Sequence, residues 1–347
     1  MKTKVENLIR KNVKALKPYS SARDDFKGIG DNMVFLDANE NPFDRGLNRY
    51  PDPNQTEVKV RISELKNIST DQLLIGNGSD EVLDLIVRVF CEPNIDKIMI
   101  LPPTYGMYRV IAGINAVDVI AVNLDSKFQP KVKEILSAAN ETTKILFLCS
   151  PNNPSGNLMD KTKVEAILNG FEGIVVIDEA YADFSSESSW IQELDRFPNL
   201  IVTQTLSKAY GLAGIRLGMC FASPLIIRAL NKIKPPYNVN ALTQREALNK
   251  LRDSGSLNKD VDQILTERKL LEQELVKFDC VKQVFPSESN FLLVAIDDAK
   301  RRYNELIDMG IVVRDRSSQP GCENCLRFTV GTAEENRTLI NALTKLK

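Results

Sequence analysis

The 347-residue chain contains no histidine. The side chain most used for proton transfer near neutral pH is therefore missing, which excludes Ser-His-Asp and Cys-His triads and any metal site that needs imidazole. Acid–base work must fall to Lys, Tyr, Asp, Glu or Cys. Long apolar runs are missing as well, so no membrane span is expected, and Met1-Lys-Thr-Lys-Val-Glu-Asn7 has no apolar segment of the signal-peptide kind. An excess of one charge is also lacking. The formal net charge of -1 gives no general attraction to nucleic acid or anionic membrane, so small-molecule partners are expected. The six cysteines are scattered, mostly in apolar settings, which suits reduced thiols in the cytoplasm. Cys322-Glu-Asn-Cys325 is a lone CxxC, short of ligands for zinc, and reads as a loop; no metal is expected.

What is present is ordinary for a globular protein, with 43% apolar and 26% charged residues. Val5, Leu8, Ile9, Val13 and Leu16 predict one amphipathic helix ending before Pro18, followed by irregular chain to about residue 54, rich in Pro, Gly, Asn and Asp. From Val58 helical stretches alternate with short apolar runs at 97–101, 116–122, 144–148, 173–177, 200–203 and 217–221. That alternation predicts an α/β fold: a large domain with a mostly parallel sheet sandwiched by helices. Pro235-Pro236 reads as a hinge, and beyond it strands at 281–285, 290–294, 310–313 and 326–330 mix with helices in a smaller α+β domain. The expected division is 1–45 as a helix and arm joining the small domain, 46–235 as the large domain, and 236–347 as an interdomain helix and the small domain.

Ligands of doubly wound sheets bind beyond the carboxyl ends of the strands. Four stretches carry polar residues there: Ile75-Gly-Asn-Gly-Ser-Asp80, which opens a helix, and the strand exits Cys149-Ser-Pro-Asn-Asn-Pro-Ser-Gly156, Asp178-Glu-Ala-Tyr181, and the turn after Ile201 that holds Ser207-Lys208 and runs to Arg216-Leu-Gly218. Each alone could be a turn or a helix cap. Together they supply a helix N-terminus for an anion, a carboxylate, a phenol, an amide and a lysine. Small and apolar neighbours predict a poorly hydrated Lys208, which favours its neutral, nucleophilic form. A lysine at a loop can also simply snorkel into water, but Thr205, Ser207 and Arg216 give Lys208 the company a bound phosphate requires. Such a lysine can form a Schiff base with a carbonyl, and pyridoxal phosphate is the commonest cofactor offering one.

These residues resemble the fold-type-I pyridoxal-phosphate aminotransferases over nearly the whole chain. Asn152-Asn-Pro-Ser-Gly156 is similar to the family's NPTG motif with Ser155 in place of Thr, Ile177-Asp-Glu-Ala-Tyr181 to its D-x-A-Y motif, and Ser207-Lys208 through Gly218 to its lysine and phosphate-arginine segment. The resemblance implies a seven-stranded sheet in the large domain and catalytic roles for Lys208, Asp178 and Tyr181. Lys208 would hold the cofactor aldehyde and Asp178 the pyridinium nitrogen. Tyr181 and Asn153 would meet the ring oxygen, Tyr105 would stack on the ring, and Ser79, Asp80, Thr205, Ser207 and Arg216 would hold the phosphate.

Within the family, Pro18-Tyr-Ser-Ser-Ala-Arg23, Asp37-Ala-Asn-Glu-Asn-Pro42, Asn48-Arg-Tyr-Pro51, Val313-Arg-Asp315 and Cys325-Leu-Arg-Phe-Thr-Val-Gly-Thr332 resemble the histidinol-phosphate aminotransferase group of histidine biosynthesis. That likeness implies histidinol phosphate and glutamate or 2-oxoglutarate as substrates, with Tyr19, Asn39, Arg314 and Arg327 on the substrate side. Arg327 would grip a carboxylate and Arg314 the substrate phosphate, with Arg316 a close competitor. Tyr50 would reach the cofactor phosphate of a neighbouring subunit, hence a homodimer. Other readings are an aromatic amino-acid aminotransferase, a threonine-phosphate decarboxylase of the same fold, or a non-catalytic pyridoxal-phosphate-binding regulatory domain.

Overall fold

The computed structural model describes residues 4–18 and 34–346. Its larger sheet has seven strands: β1 (Leu73–Asn77), β2 (Lys97–Ile100), β3 (Asp118–Ala121), β4 (Thr143–Cys149), β5 (Ile174–Asp178), β6 (Leu200–Thr205) and β7 (Leu217–Ala222). They lie in the order β1-β7-β6-β5-β4-β2-β3. All run parallel except β7, which pairs antiparallel with β1 and β6. β4 to β7 are almost wholly buried on both faces, as continuous Val/Ile/Leu runs require when helices cover a parallel sheet on each side.

One face packs on Val58, Ile62, Ile167, Leu168 and Leu251; the other on Val82, Leu83, Ile86, Phe90, Ile226 and Leu230. The expected fold class is the one observed. The smaller sheet contains β8 (Val281–Val284), β9 (Phe291–Ile296), β10 (Arg314–Asp315) and β11 (Cys325–Thr329), antiparallel in the order β10-β11-β9-β8. Helices Ser254–Leu275, Ala299–Asp308 and Ala333–Leu343 cover it through Leu271, Leu275, Leu306, Leu339 and Leu343.

Three expectations are corrected. The N-terminal helix is two short ones, Val5–Leu8 and Lys11–Ala15, broken where Arg10 turns extended to donate its N–H to the Val89 carbonyl at 3.0 Å. They pack through Leu8, Ile9 and Val13 on the large domain, not on the small sheet. Lys232 adds bonds from its Nζ to the Val13 and Lys14 carbonyls, at 3.3 and 2.8 Å. Residues 310–313 are not a strand either, since Gly310 has φ +81° and Val312 points to solvent with 81% of its surface exposed. Pairing begins only at Arg314, opposite Arg327. Third, β1 was not anticipated, because its glycine at 76 made a short run look like the entry to a helix.

β1, β7 and the helix Ser79–Phe90 meet at one tight spot. A Cβ on Gly218 of β7 would collide with the Ser79 backbone nitrogen and with the Gly78 carbonyl group, and backbone cannot step aside as a side-chain tip can. Gly218→Ala should therefore destabilise the protein by about 2 kcal/mol or more, measured by urea unfolding of the cofactor-free protein. A wild-type midpoint would refute the packing argument.

Candidate active site

The carboxyl ends of β4, β5 and β6, the turn after β6 and the N-terminus of helix Ser79–Phe90 enclose a cavity of about 120 Å³. It is lined by Ser79, Asp80, Tyr105, Cys149, Asn153, Asp178, Ala180, Tyr181, Thr205, Ser207, Lys208 and Arg216. Ten of the eleven residues expected at the cofactor, all but Tyr50, and all three expected in catalysis are thus in this lining. Lys208 lines the cavity but is itself exposed, more open to solvent than its small and apolar neighbours suggested. Its Nζ lies 5.6 Å from the centroid of the Tyr181 ring. Its pKa is lowered, first by desolvation and then by the Arg327 charge, while Asp178 works the other way. A larger share of neutral amine follows.

Asp178 ends β5 at the floor of the cavity and is 3% exposed. Burial raises its pKa; hydrogen bonds from Tyr108 and from the Ala180 N–H oppose that shift. The Tyr108 hydroxyl donates to Oδ2 at 2.7 Å and the Ala180 N–H to Oδ1 at 3.2 Å. Tyr108 was not foreseen, for it reads as one more apolar position of helix Met107–Ile114. Glu179, the next residue, faces away from this cavity's lining and braces the turn instead. Its carboxylate accepts from Ser189 Oγ at 2.5 Å, the Trp190 N–H at 2.7 Å and Gln204 Nε2 at 2.8 Å.

The anion end of the cavity is built around missing side chains. Gly78 caps the helix at φ +80°, and a Cβ there would lie 2.5 Å from Arg216 Nη2. Arg216 itself holds a left-handed φ of 55°, uncommon for a residue with a side chain, and is 3.6 Å from Asp80 Oδ2. Thr205 Oγ1 donates to Ser207 Oγ at 2.9 Å and accepts from the Ser207 N–H at 3.1 Å. Helix amides, two hydroxyls and a guanidinium converge where a phosphate would sit, and a carboxylate waits at the other end for a cationic ring nitrogen. The residues present fit pyridoxal phosphate. Tyr105 donates its hydroxyl to Asp80 Oδ1 at 3.1 Å, leaving its ring toward the cavity.

The smaller sheet brings an arginine against the lining of the site. Arg327 on β11 donates from Nη1 to Asn153 Oδ1 at 2.5 Å and lies 4.9 Å over the Phe291 ring, which meets Tyr181 edge-on at 5.1 Å. That bond fixes the Asn153 amide so that its nitrogen remains the donor. Arg314 is the register partner of Arg327, and Arg316 lies near both. Among the described residues none of the three is ion-paired, and the buried Nε atoms of Arg316 and Arg327 have no hydrogen-bond partner. Desolvation lowers the pKa of both, and each is lowered further by neighbouring guanidinium charge. Arg314 is exposed and Arg316 half-buried, so the two competitors sit at different depths.

Two expected residues lie elsewhere. Tyr50 and Asn39 border a separate groove of about 430 Å³ with Glu40, Asn48, Arg49 and Leu242. Tyr50 stacks on Tyr237 at 4.5 Å, and Glu40 binds its N–H at 2.6 Å. Neither lines the lysine cavity of its own chain. Tyr19 falls outside the described residues. Ser155, in the place of a family threonine, is fully buried and uses only its hydroxyl, accepting from Asn152 Nδ2 at 2.7 Å and donating to Asn157 Oδ1 at 2.6 Å. Cys322 and Cys325 are buried free thiols of the core, joined by a turn, as the loop reading expected.

Residues 34–343 match the family described as aminotransferase class I and II. The chain belongs to that family. A histidinol-phosphate aminotransferase of Flavobacterium johnsoniae is 56% identical over 98% of this chain and 97% of its own. Among solved structures, the histidinol-phosphate aminotransferase of Clostridium acetobutylicum superposes with a TM-score of 0.79 at 26% identity, covering 86% of this chain and 90% of that one. The fold also matches, at a TM-score of 0.78 and 24% identity over 85% of this chain and 82% of that one, the Sinorhizobium meliloti enzyme of the same name, solved in complex with pyridoxal-5'-phosphate.

Because the Arg327 charge disfavours the ammonium form of Lys208, Arg327→Met should raise the pKa of Lys208 in the cofactor-free protein. An NMR titration of the reductively methylated lysine would show it, with the wild-type midpoint below that of ordinary lysines. An unmoved or lower midpoint in the variant would contradict the electrostatic account.

Proposed function

We propose that this chain transfers an amino group between L-glutamate and imidazole-acetol phosphate, giving 2-oxoglutarate and L-histidinol phosphate, with pyridoxal phosphate held at Lys208. The observation that carries the reading is the convergence of Lys208, Asp178 and the phosphate cup in one cavity, in a chain more than half identical to a histidinol-phosphate aminotransferase. When bound, pyridoxal phosphate supplies an aldehyde that joins to an amine and a ring that accepts the electron pair released at the substrate carbon.

The chain's own residues do the rest. Lys208 Nζ, partly neutral through desolvation, would be the nucleophile and then the base that takes the proton from the amine-bearing carbon of the substrate and returns it on the far side of the nitrogen. Asp178 keeps the ring nitrogen protonated. The Asn153 amide and the Tyr181 hydroxyl hold the ring oxygen, and Tyr105 covers one face. Ser79 and Asp80 amides, the Thr205 and Ser207 hydroxyls and Arg216 anchor the phosphate, so the reacting carbon cannot wander from Lys208. Transamination brings two differently shaped anions to the same place, a carboxylate and a phosphate monoester. Three unpaired guanidiniums meet that demand: Arg327 with Asn153 for the carboxylate, Arg314 and Arg316 for the phosphate.

The groove at Tyr50 supports a homodimer in which Tyr50 of one subunit reaches the phosphate in the other, with Asn39 beside it. Val34, Leu36, Phe43 and Leu47 on the same arm are 60% to 88% exposed, which suits cover by a second copy. Six free thiols and the absence, among the described residues, of any helix long and apolar enough to cross a membrane accord with a cytoplasmic enzyme.

Steady-state rates with histidinol phosphate, phenylalanine and threonine phosphate test the substrate. The expected order has histidinol phosphate first, and faster turnover of either rival would displace this reading. Lys208→Ala should lower kcat about 10⁴-fold or more, since both nucleophile and base are lost. For the dimer, Tyr50→Ala and Lys208→Ala subunits, each inactive alone, should regain activity when mixed and reassociated, because one site per hybrid is then intact. No recovery would mean Tyr50 acts within its own subunit or not at all.

A further inference from the structure

We infer that Tyr108 is a positioning residue for this reaction: its phenol, bonded to the buried Asp178 carboxylate, fixes that group's plane and holds it ready for the ring nitrogen. The inference rests on the proposed function, since it concerns the same site. Tyr108 lies behind the cavity, 0% exposed, with its ring stacked on Phe147 of β4 at 4.7 Å and 8° and edge-on to Tyr105 at 5.5 Å. Those contacts need only a ring. A phenylalanine would make them without burying a hydroxyl, which is costly unless a partner is found. The partner here is the carboxylate at the cavity floor, at 2.7 Å, while the Ala180 N–H holds the other oxygen. Two donors from different elements, one on each oxygen, leave the carboxylate no freedom to rotate.

The same bond bears on ionisation. Asp178 is enclosed by protein, and the ionisable groups around it are Tyr108, Asp80, Tyr105, Cys149, Tyr181 and Lys208. Asp80 opposes a second negative charge, the thiol and the tyrosines are neutral, and Lys208 is itself pushed toward the neutral form. Before the cofactor arrives, neutral donors are the chief support for an ionised Asp178. Tyr108 can always serve, because burial and the adjacent carboxylate push its own pKa well up, so it keeps its proton.

Tyr108→Phe tests this through binding as well as turnover. Equilibrium dialysis would measure the affinity for pyridoxal phosphate and for its 1-deaza analogue, in which the ring nitrogen is replaced by a C–H. The variant should lose about tenfold or more in affinity for pyridoxal phosphate near neutral pH and much less for the analogue. The acid limb of the affinity–pH profile should also move to higher pH, because an Asp178 without its phenol donor takes up a proton sooner as pH falls. Equal losses for both ligands, or an unmoved acid limb, would reduce Tyr108 to a packing residue and overturn the inference. Should the variant fold poorly, 3-fluorotyrosine at position 108, a stronger donor in the same ring, should move the limb to lower pH; a shift the other way would overturn it equally. Failure of the wild-type chain to turn over histidinol phosphate would instead count against the substrate assignment and leave these binding measurements intact.

Discussion

A carboxylate taken out of water at the end of a central strand is the constraint around which this molecule is arranged. Asp178 sits on β5, with β4 and β6 on either side, at the edge where the parallel strands end. Leaving such a charge unpaired costs several kcal/mol even after relaxation. It is held by Tyr108 and Ala180 on one side and turned toward a cavity on the other. The floor of the cavity is therefore a standing demand for a cation of the right shape, which the protonated ring nitrogen of pyridoxal phosphate would meet. The apolar runs of β4, β5 and β6 serve this arrangement directly, because only a rigid, dry sheet can keep the carboxylate desolvated and in place.

The opposite end of the cavity solves a different problem, gathering donors around an anion without filling the space. Gly78 and Gly218 are small because Arg216 and the Ser79 backbone come too close for any side chain. Arg216 accepts a left-handed backbone, a strain of about 1–3 kcal/mol, which the surrounding ladder of β7 with β1 and β6 can sustain. The phosphate cup thus depends on the antiparallel strand that interrupts an otherwise parallel sheet.

Much of this was legible in the residues. The buried strands announced themselves as apolar runs, and the polar exits of β4, β5 and β6 converge as the doubly wound rule requires. What escaped notice did so for identifiable reasons. β1 is short and contains Gly76, so periodicity could not separate it from the helix that follows. Residues 310–313 have the composition of a strand, but a left-handed Gly310 and an outward Val312 deny them a partner. The N-terminal apolar positions fit one helix by spacing, yet a tertiary bond from Arg10 to Val89 breaks it, and which domain it joins is not written in its own sequence. Tyr108 was hidden because position 108 looks like core, and it is core; only the direction of its hydroxyl sets it apart. Asn39 and Tyr50 matched motifs that the resemblance assigned to the site, but they lie in a different groove of the chain.

The three arginines of the smaller sheet show why two domains are needed. Arg314, Arg316 and Arg327 crowd one another, and their like charge, together with burial, depresses the pKa of Arg316 and Arg327. Such a cluster is unfavourable by itself and becomes favourable when an anion enters. Carried on β10, just beyond it and on β11, the guanidiniums approach from the far side, and the bond from Arg327 to Asn153 ties them to the lining of the lysine cavity. Phe291 stands between Arg327 and Tyr181, in contact with both. Any movement of the small sheet relative to the large one must therefore break the Arg327–Asn153 bond or carry with it a residue of the lysine cavity.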